Sequence, residues 1–433
     1  MMRRTTVGCL SLLLVAGCGD KGAPEGGKGT AAPSGTGGAS VQKGQDPRGG
    51  AAAGGYGYTA ALGGDLDKKV GDAMVRARKF LLSKRDEATG SWKNPVAAGF
   101  TAIAATALIA STPREQVASD PTIAKALQFL AAAQKPDGSV NSNDRFTTYE
   151  TSAAVGAFAN ARIATFAAAQ AKARDYLAKS QITDEASPSF GGFPYVSQSD
   201  PTAPADLSNL QFAAAAAHDA ELKDPEFWAR VATYLAHVQN RSETNTFSLK
   251  RADKDLGKEV EVVAGNDGGA GYGPGMSKAG LIARPDGKFE PRSYGSMTYA
   301  LLKCLLFAGV KADDARVTAA VAWIQKNFAV DKNPGFESAK DPAKASQQGY
   351  FYYLLTLGRA LAEYEKATGK PLAVTDAAGK AHDWRKEVSA QLVSLQKPDG
   401  SWANPVDRWE ESDAVLVTAY AIQTLALCQG RLP

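Results

Sequence analysis

The chain has 433 residues, of which 44% are hydrophobic and 22% charged, and its formal net charge is +4. Acids and bases are nearly matched and interspersed, which argues against nucleic acid as a partner. Beyond the leader no run of about 18 apolar residues occurs, so the body is expected to be soluble and only tethered to a membrane.

The first 17 residues read as a targeting segment. Met1 to Arg4 gives a positive start, and Thr5 to Ala16 is apolar but too short to span a bilayer, which fits a cleavable signal. Val15, Ala16 and Gly17 directly before Cys18 resemble a bacterial lipobox. That resemblance implies cleavage before Cys18, lipid on its sulfur and new amino group, and a place in the cell envelope, on the periplasmic face or at the outer membrane or cell surface. The alternative is an ordinary secretory signal with an incidental cysteine. Several acyl chains hold a protein on a membrane durably. Residues 18–64 are rich in Gly, Ala, Ser and Pro and carry almost no large apolar side chain, so they are expected to be a disordered tether. About 45 such residues reach roughly 35–40 Å.

From residue 65 to 433 the composition turns to helical periodicity. Apolar residues recur at i, i+3, i+4 and i+7 over Asp67–Leu82, Phe100–Ile109, Thr122–Ala133, Glu150–Arg162, Phe166–Ala178 and Leu207–Ala220. The same period runs over Phe227–Val238, Tyr294–Ala308, Asp314–Phe328, Gly349–Thr368, Asp383–Leu395 and Asp413–Cys428, which makes twelve helices. Two near-identical turns punctuate them, QKPDGSV from Gln134 and QKPDGSW from Gln396. Proline presets a type I turn, Asp bonds back to the backbone, and Gly takes the positive φ that follows. Weaker copies lead from Lys84 to Trp92, Gln181 to Phe193, Gln239 to Tyr272 and Gln325 to Phe336, so the helices pair into six hairpins. The fourth unit carries an insertion with a possible short strand at Glu259–Val263 and a turn at Arg284–Gly287. Cys304 and Cys428 read as buried free thiols, with a disulfide between them as the alternative.

Q-x-x-x-G-x-W followed by a helix resembles the repeat of squalene and oxidosqualene cyclases and of protein prenyltransferase β subunits. Over residues 65–433 the resemblance implies an all-α fold, an (α/α)₆ toroid with six inner helices around a hollow and six outer ones. The chemistry of those families does not carry over. Class II cyclases protonate an alkene with D-x-D-D, and the nearest match here is Tyr149, Glu150 and Thr151. The prenyltransferase zinc site needs Asp, Cys and His, whereas this chain has only His218, His237 and His382, and Cys304 lacks a matching Asp-x-Cys. No metal or other cofactor is expected.

In such a toroid the inner-helix N-termini would share one mouth, left partly positive by their dipoles. The candidate ligand-binding residues there are Tyr149, Glu150, Asp206, Asn209, Arg292, Tyr294, Gln348, Tyr350, Glu411 and Asp413. Asp206, Asp413 and Glu150 also sit where helix caps and first-turn acids are ordinary. No catalytic residue is assigned. The first reading is a lipid-anchored module that holds a small molecule, glycan, peptide or protein in its hollow. The second is an extracytoplasmic glycan-cleaving enzyme with paired carboxylates such as Glu150 and Glu411, and the third a terpenoid cyclase or isoprenoid transferase.

Overall fold

A helix that is apolar around its whole circumference has to be covered on every side, and the chain arranges this by nesting one ring of helices inside another. A computed structural model describes residues 62–196, 204–253, 257–376 and 379–431. The leader, Cys18 and the tether up to residue 61 lie outside the described residues. All twelve expected helices form. The outer ones are α1 (Gly64–Lys84), α3 (Pro121–Ala132), α5 (Ala167–Ser180), α7 (Pro225–Val238), α9 (Ala315–Asn327) and α11 (Trp384–Leu395). The inner ones are α2 (Ala97–Ala110), α4 (Thr147–Ala161), α6 (Leu207–Asp219), α8 (Gly295–Phe307), α10 (Tyr350–Thr368) and α12 (Ala414–Cys428).

Burial follows the sequence pattern. Between Ala98 and Ile109, α2 is buried at every position but Thr106. Outer α7 buries one stripe, Phe227, Val231, Tyr234, Leu235 and Val238. Each inner helix packs on the next, and α12 returns to α2, where the Gln423 amide donates to the Ile103 carbonyl at 3.2 Å. Cys304 and Cys428 are both buried and free, and burial pushes each thiol up to about 12.

The repeated turn links the hairpins. In two copies Asp137 and Asp399 accept the N–H of Ser139 at 2.9 Å and of Ser401 at 3.0 Å. Gly138 and Gly400 take φ of +97° and +87°. A Cβ on Gly138 would stand 2.5 Å from the Lys172 carbonyl oxygen, and one on Gly400 2.6 Å from that of Arg76, so only glycine lets the turn lie on the next outer helix. The preceding glutamine then staples the two units. Gln134 Nε2 donates to the Gly138 carbonyl (3.1 Å) and across to Ala169 (2.9 Å). Gln181 bonds Gly191 and Phe227, and Gln239 bonds Gly268 and Arg316. Gln396 closes the circle, donating to Gly400 (3.0 Å) and to Ala73 of α1 (2.8 Å).

Two expectations need correction. The fold is not all-α. The fourth-unit insertion forms a sheet of order β1-β2-β4-β3 from β1 (Ser248–Asp253), β2 (Lys258–Val263), β3 (Leu281–Ala283) and β4 (Phe289–Pro291). A two-stranded ribbon, β5 (Val374–Thr375) with β6 (Ala381–His382), follows α10. The register of the fourth turn is also shifted. Threonines on the inner helices, Thr101, Thr151, Thr298 and Thr418, accept the N–H of Trp92, Val140, Ala270 and Trp402 at 3.0–3.2 Å. Ala270, and not Tyr272, therefore fills the aromatic slot, which frees Tyr272 for another task.

Gln396→Leu removes both donors at the ring closure and is expected to cost about 2 kcal/mol, read as a lower urea midpoint at unchanged m. Gln325→Leu, whose amide makes one exposed bond to Ala373, should cost less than half as much.

Candidate functional site

The inner helices present their N-termini to one mouth, and side chains of the following hairpin collect their free N–H groups. Glu150 accepts from Gly99 N at 3.0 Å in α2, from Asn143 N at 2.9 Å and from the Ser142 hydroxyl at 2.7 Å. Glu411 does the same for α10, accepting from Tyr352 N at 2.8 Å and Asn404 Nδ2 at 2.7 Å. Asn333 takes the Ser296 N–H of α8 at 3.0 Å. Glu150 and Glu411 are thus committed to the frame, which corrects their reading as a catalytic pair. Burial pushes Glu411 up to about 7 against the pull of these donors.

Several other candidates also serve the frame. Asp413 caps α12 by accepting from Val415 N and Leu416 N at 2.7 and 3.2 Å. Asn209 is held by Asp206 through its own N–H (2.7 Å) and donates Nδ2 to the Phe193 carbonyl. The Tyr350 hydroxyl is turned to the Val330 carbonyl. Arg292 bonds Gly280 and Ser277 through its backbone, while its buried Nε makes no hydrogen bond.

The remaining candidates, Asp206, Tyr294 and Gln348, do come together, with partners the sequence reading did not name. Asp206 caps α6 and accepts the Tyr272 hydroxyl at 2.8 Å, and Tyr272 meets the Tyr195 hydroxyl at 2.9 Å. The insertion delivers Tyr272, because Leu207 N at the start of α6 donates to the Tyr272 carbonyl at 2.8 Å. Lys278, also in the insertion, stands 4.3 Å from the Tyr272 ring centre. Across from it, Arg408 bonds the Gln348 amide oxygen and lies 4.4 Å from the ring of Trp409, which is 38% exposed. Tyr294 is buried within the electrostatic reach of Arg408, Asp206 and Tyr195.

The charges of this basin are unusual. Burial raises the Asp206 carboxyl above its ordinary value, although Asn209, Tyr272 and Tyr195 pull it down. Burial lowers Lys278, and Asp206 only partly offsets this. Neither Lys278 nor Arg408 forms an ion pair with a carboxylate among the described residues, although both are half-buried.

Under the mouth the hollow is interrupted. Tyr149, Phe212, Tyr352 and Tyr420, from four inner helices, form a layer with ring centres 4.9, 6.1 and 6.4 Å apart in succession. The Tyr149 and Tyr420 hydroxyls close it at 3.4 Å. Tyr149, pushed up to about 12 by burial, belongs to this floor and is no free ligand group.

No protein-family model matches the chain, and no curated protein does. Its structure is similar to that of the type II terpene cyclase MstE from Scytonema, at 17% identity over 85% of this chain and 100% of the cyclase, with a TM-score of 0.51. A form of that enzyme holding geranylgeranyl dihydroxybenzoate aligns at 16% identity, over 85% and 99% of the two chains, with a TM-score of 0.51. A glycosidase aligns at 13% identity over 86% and 100%, with a TM-score of 0.49. At these identities the likeness is one of fold, a toroid of helical hairpins.

A carboxyl raised by folding binds a proton that the unfolded chain has released, so stability falls as pH climbs from its unfolded to its folded pKa. Glu411 is therefore expected to lower stability between about pH 4.5 and pH 7. Urea unfolding across that window should show a shallower decline for Glu411→Gln than for the wild type.

Proposed function

We propose that the chain is an envelope lipoprotein whose toroid captures an acidic glycan at its mouth, without the chemistry of a cyclase or a zinc transferase. The observation that carries this is a pair of half-buried cations, Lys278 and Arg408, with no carboxylate ion-paired to either among the described residues. A uronate carboxylate would take their donors as a charge-assisted pair. Around them the exposed Trp409 ring offers a face for a sugar ring, and the Tyr195 and Tyr272 hydroxyls, with the Gln348 amide, offer hydrogen-bonding groups. Lipid on Cys18 would hold the basin at the cell envelope. Terpenoid cyclisation lacks its acid, because the sequence has no D-x-D-D and Glu150, in the nearest match, is saturated with donors.

Glycan cleavage is a second reading, favoured by the raised pKa of Asp206 at the edge of the basin. A carboxyl raised above its ordinary range is better suited to donate a proton to a leaving oxygen. New reducing ends produced from a uronic-acid oligosaccharide by the wild type but not by Asp206→Asn would decide for it.

Lys278→Gln and Arg408→Gln are each expected to weaken binding of a galacturonate oligosaccharide roughly tenfold, measured by titration calorimetry, and added salt should do the same. A wild type that holds a neutral oligosaccharide as tightly as the acidic one would refute the proposal. Separately, Cys18→Ser should move the protein from the membrane pellet to the soluble fraction.

A further inference from the structure

On the far side of the aromatic layer the inner helices surround a second, partly open hollow of about 110 Å³. Its wall is mixed: Ile103, Ala153, Leu355 and Leu427 give an aliphatic side, while Gln211, Asp219, Arg359 and Gln423 are among the polar residues that also line it. One charged side chain in it has no carboxylate ion-paired to it among the described residues. Lys303 enters from the middle of α8, in the run Tyr-Ala-Leu-Leu-Lys-Cys-Leu-Leu-Phe, and is only 4% exposed. Buried lysines are rare unless paired.

The pairing here is incomplete. An ammonium has three donors, and the one hydrogen bond of Lys303 among the described residues goes to the Gln211 amide oxygen. The nearby acids are engaged elsewhere. Asp219 binds Arg359 at 2.6 Å and His218 at 3.2 Å. Glu363 binds Arg359 at 3.1 Å and Lys366 at 3.5 Å. Gln211 is itself held, since its Nε2 donates to the Tyr352 hydroxyl at 3.1 Å. Donors are thus left over on a cation that faces the cavity. Burial lowers Lys303 to about 8, so it remains mostly charged at neutral pH.

We propose that this cavity is a binding site for a small aliphatic monocarboxylate, its carboxylate on Lys303 Nζ and its tail against Ile103, Leu355 and Leu427. A carboxylate supplies the acceptors that the ammonium lacks, and the aliphatic wall covers the rest of such a ligand. A single negative charge matches the single cation shown here with spare donors, whereas a dianion such as phosphate would meet the carboxylate of Asp219 in the same wall. Size sets the chain length. An apolar cavity of about 150 Å³ accepts the six heavy atoms of benzene, so this one suits roughly four or five, which propionate meets and butyrate slightly exceeds at the open side. The site is separate from the basin at the mouth and does not depend on the glycan reading.

The test is titration calorimetry of the full chain with propionate, butyrate, butyramide and octanoate. Both short acids should bind the wild type saturably. Butyramide should bind roughly 10- to 100-fold more weakly, having lost the charge-assisted bond, and octanoate should not fit. Lys303→Met, similar in shape and apolar, should lose butyrate affinity by the same factor, while Lys278→Gln and Arg408→Gln should leave it unchanged. No saturable binding of either acid, equal binding of butyramide, or undiminished butyrate binding by Lys303→Met would each overturn the proposal. Should Lys303→Met fail to fold, the side-chain ¹⁵N resonance of Lys303 in the wild type replaces it. That resonance must shift on adding butyrate, and a stationary one is fatal to the site.

Discussion

The fold depends on a glutamine amide that reaches across from one hairpin to the next. Its two N–H donors serve the carbonyl of the turn glycine in its own unit and a carbonyl of the neighbouring outer helix. Those outer-helix carbonyls belong to Ala169, Phe227, Arg316 and Ala73. The last of these carries the consequence, since Gln396 ties the end of the chain to its beginning. A stack of hairpins joined only to neighbours in sequence would be an open superhelix with two bare ends. Closure removes the ends and forces the inner helices to surround a common axis. A hollow follows from that geometry whether or not a ligand uses it.

What fills the hollow is decided by the inner helices one residue at a time. Alanine lets α2, α4 and α12 approach closely, while four aromatic rings in the first two turns meet at the axis and block it. Two compartments result, and they are built differently. The mouth is furnished by loops and by the strand insertion, which bring in Tyr195, Tyr272, Lys278 and Arg408. The inner cavity is furnished by the inner helices, from their middles to their C-terminal ends. Loops tolerate change more readily than packed helices, so the mouth can be rebuilt at little cost to stability, whereas each wall residue of the cavity is tied to the core.

The legible part of the sequence was the local part. Twelve amphipathic periods and six glycine turns are written in short stretches, and all of them form. The fourth turn was misaligned because Tyr272 stands two residues after the slot that Ala270 fills, and a sequence pattern prefers the aromatic. Strands β1, β3 and β4 were hidden because their pairing is set by contacts across the insertion, although Glu259–Val263 did show its alternation. Glu150 and Glu411 looked like site acids because their targets are N–H groups of the preceding hairpin, 51 and 59 positions earlier, and no spacing rule reveals such a bond. Lys303 did leave a trace, a lone charge inside an apolar helix, which is informative whenever burial is expected.

The carboxyls inside the ring separate by what holds them. Burial by itself would raise every one of them. At Asp219 the guanidinium of Arg359, together with His218, outweighs burial and keeps the carboxyl ionised far below its ordinary range. Such a group cannot give a proton to an alkene or a leaving oxygen at neutral pH. At Asp206 the counterweights are one backbone N–H, two hydroxyls and, last, the charge of Lys278, and burial prevails. A carboxyl lifted above its ordinary range therefore stands at the mouth, beside Lys278 and the two tyrosines. The inner cavity, where each nearby acid is held by a cation and one lysine keeps donors to spare, is equipped to hold an anion and not to protonate one.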